Sequence, residues 1–204
     1  MTPEEVKSVL KNQFKFKDQD LVKLEHFVNI LLNYNKKYNL ISKNTELIVW
    51  KRHILDSAQL FRFISTKKNL ILGDFGSGAG FPGLIIAIYN KNKNFHVKLY
   101  EKSPVKRDFL KLIRKKLNLS YEVDKNVNES KIDADIIVSR AFKKLNEIIN
   151  ISREKLNKPH KIIILKGKNA QEEINNVSLA ENYSYKIEKS ITDSDSKIII
   201  LDVK

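Results

Sequence analysis

Leu70-Ile71-Leu72-Gly73-Asp74-Phe75 runs straight into Gly76-Ser77-Gly78-Ala79-Gly80, and Phe81-Pro82-Gly83-Leu84-Ile85-Ile86-Ala87 follows. The first six residues are mostly apolar and end on turn residues, which predicts a buried strand. Glycine at alternate positions lets the backbone turn where a side chain would block it, and lets a ligand approach the main chain closely. The apolar run after Pro82 predicts a helix, since proline suits a first helical turn. A strand, a glycine turn and a helix in this order open a parallel α/β sheet, whose ligands bind outside the carboxyl ends of the strands. A merely tight turn accounts for one glycine there, not for three alternating ones.

Further strand-like runs are His96-Glu101, Tyr121-Val123, Asp135-Val138, Ile162-Leu165, Tyr185-Glu188 and Lys197-Val203. Ile162-Leu165 and Ile198-Leu201 are continuously apolar, as strands covered on both faces are. Helical segments separate most of them: Val105 to Leu117 behind the cap Ser103-Pro104, Leu145 to Leu156, and Ala170 to Leu179. Thr192-Asp193-Ser194-Asp195-Ser196 is too short for a helix, so the last two strands are predicted to pair antiparallel. The expected core is thus an α/β unit over residues 66–204, a seven-stranded, mostly parallel sheet closing in a hairpin. Residues 1–65 are predicted to form a helical region packed on it. Thr2-Pro3-Glu4-Glu5 opens one helix. Leu21, Leu24, Phe27, Val28, Leu31 and Leu32 mark a second, ending in a polar stretch from Asn33 to Asn44. Leu47, Ile48, Ile54, Leu55, Ala58 and Phe61 mark a third.

Of the 204 residues, 42% are hydrophobic and 30% charged, so a packed core is expected rather than a disordered chain. With no cysteine, disulfides and Cys-based zinc sites are excluded. Neither a secretory signal nor an apolar run near the roughly 20 residues of a membrane span is visible, and a cytoplasmic protein is expected. A formal net charge of +14 suits a polyanionic partner. Lysine is abundant throughout, however, and charge alone names no ligand.

The glycine turn fits two registers. Gly76-x-Gly78-x-Gly80, with Asp74 two residues before it, is a methyltransferase pattern for S-adenosylmethionine. Gly78-x-Gly80-x-x-Gly83 matches the dinucleotide fingerprint, as in a nicotinamide-dependent oxidoreductase. The second register is disfavoured because the strand ends at Gly76 and Pro82 would remove an amide donor from the pyrophosphate loop. It also lacks a second domain to carry an oxidoreductase's substrate. In either register Glu101, at the tip of the second strand, can accept hydrogen bonds from ribose hydroxyls.

On these residues the chain resembles the glucose-inhibited division protein B family, the RsmG-type methyltransferases of small-subunit ribosomal RNA. The resemblance runs through Asn35-Lys36-Lys37-Tyr38-Asn39-Leu40-Ile41, Arg52-His53-Ile54-Leu55-Asp56-Ser57 and Asp74 to Gly83. It ends with Ser139-Arg140-Ala141-Phe142 and Leu165-Lys166-Gly167. It implies a class I methyltransferase fold, Rossmann-like, and transfer of a methyl group to N7 of a guanine in a 16S ribosomal RNA loop beside the decoding centre. It further implies cofactor contacts at Gly76, Phe81, Arg140 and the residues after the third strand, here Val127-Asn128. The family has an arginine, a small residue and a glutamate in that segment, where this chain has Asn126-Val127-Asn128-Glu129. Backbone contacts to adenine survive that change; a side-chain role of the arginine does not.

Gly78, Gly80, Asp74 and Glu101 complete the expected cofactor site. Arg140, after the fourth strand, is the candidate catalytic residue, able to stack on guanine or bind its O6. Lys166 and His53 are candidate substrate contacts. Each has a plainer reading: an ion-paired arginine, a solvated lysine, and a helix-stabilising pair of His53 with Asp56. Guanine N7 carries a lone pair and no proton, so no general base is needed, and the 4 scattered histidines form no triad or metal pattern. The expected partner is 16S ribosomal RNA, free or in the small subunit, with no metal, no membrane and a monomeric enzyme. A methyltransferase of the same fold with a non-RNA substrate, and a binding module without catalysis, remain as alternatives.

Overall fold

A computed structural model of the chain describes residues 1–66, 68–179 and 181–204; Lys67 and Ala180 lie outside them. Helix α1 spans Pro3–Asn12 and α2 spans Asp18–Tyr38. The Thr2 hydroxyl accepts the Glu5 amide and the Glu5 carboxylate accepts the Thr2 amide, a reciprocal cap that satisfies donors the helix itself cannot. Helix α2 does not stop at Asn33 as its polarity suggests. Asn35 faces inward, and its side chain bonds the main chain of Ile41 in both directions, so a polar residue holds the helix end.

The third predicted helix is not one helix. A short α3 (Lys43–Glu46) leads to a π-helical segment, Trp50–Leu55, then α4 (Asp56–Ala58) and a 3-10 turn, Gln59–Arg62. The wider π turn resets the helical phase. Val49, Trp50, Ile54 and Leu55 enter the core, while Leu47 and Ile48 point to solvent.

The sheet comprises β1 (Ile71–Phe75), β2 (His96–Tyr100), β3 (Glu122–Asp124), β4 (Ile136–Arg140), β5 (His160–Lys166), β6 (Tyr183–Lys189) and β7 (Lys197–Val203). Its order is β3-β2-β1-β4-β5-β7-β6. The first five pair in parallel; β7 pairs antiparallel with both β5 and β6. Between them lie α5 (Gly83–Tyr89), α6 (Pro104–Lys116), α7 (Leu145–Lys155) and α8 (Ala170–Asn175), the last ending short of the predicted Leu179.

Successive strand residues face opposite sides, which explains the unbroken apolar runs. Ile163, Leu165, Ile198 and Ile200 join the core beneath α1, α2, α5 and α6. Ile162, Ile164, Ile199 and Leu201 join the core beneath α7 and α8. Each such side chain, fully buried, contributes about 1.5–3 kcal/mol. Strand β6 lies at the edge with Lys186 and Glu188, charges that discourage a further strand from pairing there. Connections leave β1 in both directions across the sheet. The strand order therefore reverses between β1 and β4, where open α/β sheets form their ligand crevice.

Candidate functional site

At that reversal a cleft of about 780 Å³ opens, lined by Gly76, Ser77, Gly78, Ala79 and Phe81 of the glycine turn. The turn is hooked onto the neighbouring strand: the Gly76 and Ser77 amides both donate to the Tyr100 carbonyl, at 2.9 and 3.0 Å. Gly76 has φ +72°, and a Cβ there would lie 2.2 Å from Phe142 Cδ2. Gly78 has φ +58°, yet the nearest atom to a Cβ there is the Gly76 carbonyl oxygen at 4.0 Å. The first glycine thus admits a packed ring, and the second faces the open cleft.

Two expected contacts lie behind this surface. Asp74 is fully buried and its Oδ2 accepts the Gly83 amide at 2.9 Å. Burial pushes its carboxyl up to about 7, against the pull of that amide. Asp74 therefore ties the strand to the start of α5 rather than reaching the cleft. Gly80 also lies outside the lining; a Cβ there would meet Leu84 at 2.8 Å, so its absence lets the turn pack on the helix.

Glu101 directly follows β2 at the cleft wall. Its Oε2 accepts the Gly78 amide and its Oε1 the Ser103 amide, each at 2.8 Å. Two backbone donors fix the carboxylate, and each oxygen keeps a lone pair for a further donor. After β3, Asn126 and Asn128 line the cleft, while the Val127 side chain turns into the core beneath α7. The alternation leaves only the backbone of Val127 for a ligand.

Arg140, His53 and Phe81 form the facing wall. The Phe81 ring stacks on His53, 4.8 Å between centroids, and carries the Arg140 guanidinium 5.0 Å above it. Arg140 donates to the Arg52 carbonyl at 2.8 Å, to His53 Nδ1 at 2.6 Å and to Asp56 Oδ2 at 3.4 Å. A guanidinium only donates, so His53 Nδ1 accepts, and the proton on Nε2 goes to Thr45 Oγ1 at 2.9 Å. Buried Asp56 in turn accepts from Gln59 at 2.8 Å and from Thr192 of the β6–β7 turn at 2.7 Å.

Burial, and then Arg140 and Arg52, depress the His53 pKa from 6.5 to about 3. The unfolded ring takes up a proton below 6.5 and the folded ring does not until about 3. Stability from this residue is complete above 6.5 and drains as pH falls towards 3. His53→Gln is expected to flatten the decline in Tm between pH 6.5 and pH 5, read by thermal unfolding. A pH slope equal to that of the parent protein would show that His53 is not the group responsible.

The fold thus brings Gly76, Gly78, Phe81, Glu101, Asn128, Arg140 and His53 to one cleft. It does not bring Lys166 there: its ammonium donates to Glu173 and to the Lys143 carbonyl, each at 2.7 Å. Thr45 lines the cleft without having been singled out from sequence, and Asn126 and Phe142 do so without having been given a site role there. Phe142 is placed by Ala141, whose φ of +51° turns the chain sharply after β4. Composition signals no such turn at an alanine.

A sequence profile described as rRNA small subunit methyltransferase G matches residues 20–199. A Pelagibacter ubique protein named ribosomal RNA small subunit methyltransferase G is 37% identical, over 96% of this chain and 93% of its own length. One of the same name from Rickettsia prowazekii is 38% identical, over 91% of this chain and 95% of its own. Among solved structures, M. jannaschii TYW2 in complex with AdoMet superposes with a TM-score of 0.54 at 17% identity. That match covers 72% of this chain and 74% of the other, a likeness of fold. With its glycine turn, its cleft at the strand reversal and relatives matched over nearly their full length, the chain belongs to the rRNA small subunit methyltransferase G family.

Proposed function

We propose that the chain methylates N7 of a guanine in a 16S ribosomal RNA loop beside the decoding centre, using S-adenosylmethionine. The observation that carries the cofactor is the open side of Gly78. A positive-φ glycine with no atom within 4 Å of its absent side chain but one carbonyl borders a cleft large enough for a nucleoside cofactor. Glu101, held by two amides, is set to accept the ribose hydroxyls; Asn126, Asn128 and the Val127 backbone surround the adenine position. The other register is poorly supported, since Gly80 packs on Leu84 behind the cleft.

When bound, S-adenosylmethionine supplies an electrophilic methyl carbon on a sulfonium. The protein's task is to orient the guanine N7 in line with that carbon and to exclude water. Arg140 does the orienting. Its guanidinium is clamped by Asp56, His53 and the Arg52 carbonyl, and its remaining N–H groups can meet the guanine O6 or a phosphate. His53 is no base: one ring nitrogen accepts from Arg140 and the other donates to Thr45. N7 has no proton to remove, so none is required. Lys102 and Lys106 on the cleft rim suit the RNA backbone. Among the described residues no helix is long and apolar enough to cross a membrane, and a ribosomal substrate puts the enzyme in the cytoplasm.

S-adenosylhomocysteine is expected to raise the Tm and NAD to leave it unchanged; a shift with NAD alone would sink the reading. Small subunits from a strain lacking the gene should lose a methyl mass on one guanine. The purified chain with S-adenosylmethionine should restore it. Retention of that mass in the deletion strain would refute the substrate.

A further inference from the structure

Beside the cleft lies a second depression of about 440 Å³, where Ile48, Lys51 and Arg52 face Ile191, Thr192 and Asp193 of the β6–β7 turn. Arg52 lines both the depression and the cleft, so they share a wall. Leu47 is 97% exposed, Ile48 47% and Ile191 42%. Single exposed aliphatics need no explanation, but Ile48 and Ile191 line one depression beside a binding cleft, with Leu47 next to Ile48 in the chain, and that grouping does.

Both walls are held in place. Asn35 donates to Glu46 at 2.6 Å, pinning the turn that presents Leu47. Gln59 accepts the Ile191 amide at 3.0 Å and donates to Ser190 at 3.1 Å, pinning the opposite side. The outward pose of Leu47 and Ile48 follows from the π-helical turn, which sends Val49 and Trp50 inward instead. The rim is basic through Lys51 and Arg52. Asp193, the acid of the lining, accepts from the Asp195 amide and the Ser196 hydroxyl at 2.9 and 3.1 Å and lies in the field of Arg52 and Lys51, so the rim carries two cations against one acid.

An aliphatic floor with a cationic rim fits a nucleotide: the base packs on the floor and the phosphate meets the cations. We infer that this depression receives an unstacked base of the RNA strand, the neighbour of the guanine held in the cleft. Ile48 and Ile191 serve as the surface on which that base packs, with Leu47 beside Ile48 at its edge. The inference rests on the RNA-methylating reading of the cleft. A loop guanine must leave its stack to reach the cleft, and unstacking costs a few kcal/mol. A second site for the flanking base offsets part of that cost and sets the register of the strand. The basic rim favours RNA over a ribosomal protein as occupant.

The test uses the full chain and small subunits from a strain lacking the modification. Leu47→Ser and Ile48→Ser replace exposed side chains, so folding and S-adenosylhomocysteine affinity should be unchanged. The KM for the subunit should rise about tenfold, as for loss of one base contact. Photo-crosslinking from p-benzoylphenylalanine at position 47 should label the RNA loop that carries the methylated guanine. Unchanged KM in both variants, or a crosslink to a ribosomal protein alone, would overturn the inference while leaving the methylation reading intact. Failure of the parent protein to methylate subunits would instead overturn that reading.

Discussion

Gly78→Val is expected to lower S-adenosylhomocysteine affinity at least about 100-fold, or about 2.7 kcal/mol, while the protein stays folded. The residue sits at φ +58°, where an L side chain costs about 1–2 kcal/mol. A drop in Tm of several degrees follows from that strain. No packing clash adds to it, because the new Cβ would meet only the Gly76 carbonyl oxygen, at 4.0 Å. The isopropyl group would instead occupy the space next to Glu101, where the proposed reading puts the cofactor's sugar. Gly76→Val makes the contrast: its Cβ would fall 2.2 Å from Phe142, so the chain itself must rearrange. Calorimetric titration separates the two cases. Full affinity in a folded Gly78→Val protein would move the cofactor away from this turn.

Asp56→Ala should be the most damaging change away from the glycine turn. Asp56 is buried and is the counter-charge of Arg140; it also accepts from Gln59 and Thr192. Removing it strands a mostly buried guanidinium, which typically costs about 3–5 kcal/mol, and leaves two polar groups without their acceptor. A fall in Tm of about 10 °C is expected for a chain of this length. Methyl transfer should fall with it, because Arg140 loses its counter-charge and only the Arg52 carbonyl and His53 then hold it over Phe81. Asp56→Asn keeps an acceptor and loses the charge, so its Tm should lie between. Arg140→Met in the Asp56→Ala background should recover part of the lost stability, since the unpaired charge is gone, but none of the activity. Additive losses in the double variant would show that the pair is not coupled.

Much of this architecture was legible in the sequence. The seven strands stood where the apolar runs lay, and the short turn after Ile191 announced the terminal hairpin. Helix boundaries were legible where capping residues stood, at Thr2 and Ser103. They were not where a side chain inside the protein took over. Asn33 to Asn44 looks like a loop until Asn35 is seen to satisfy Ile41 from within a helix. The apolar positions from Leu47 to Phe61 look like one helical face until a π turn shifts their phase.

Of the cleft residues, Gly76, Gly78 and Glu101 could be named from sequence because each lies just past the end of a strand, Arg140 from its place at the end of β4 together with the family resemblance, and Phe81 from the resemblance alone. Asp74 and Gly80 occupy the same motif yet serve the packing of α5, a distinction that depends on which atoms stand behind them. Lys166 has the position of a ligand contact, and Glu173 claims its charge.

The sequence alone determined the α/β sheet, the glycine turn and the choice between its two registers. These follow from short-range rules: side-chain period, proline's missing donor and glycine's freedom at positive φ. Only the tertiary structure decided which polar groups meet. His53 reaches Arg140 across 87 residues, and Asp56 reaches Thr192 across 136. No local pattern encodes such pairs, because what selects them is the shared burial of polar groups that the assembled sheet and its covering helices bring together.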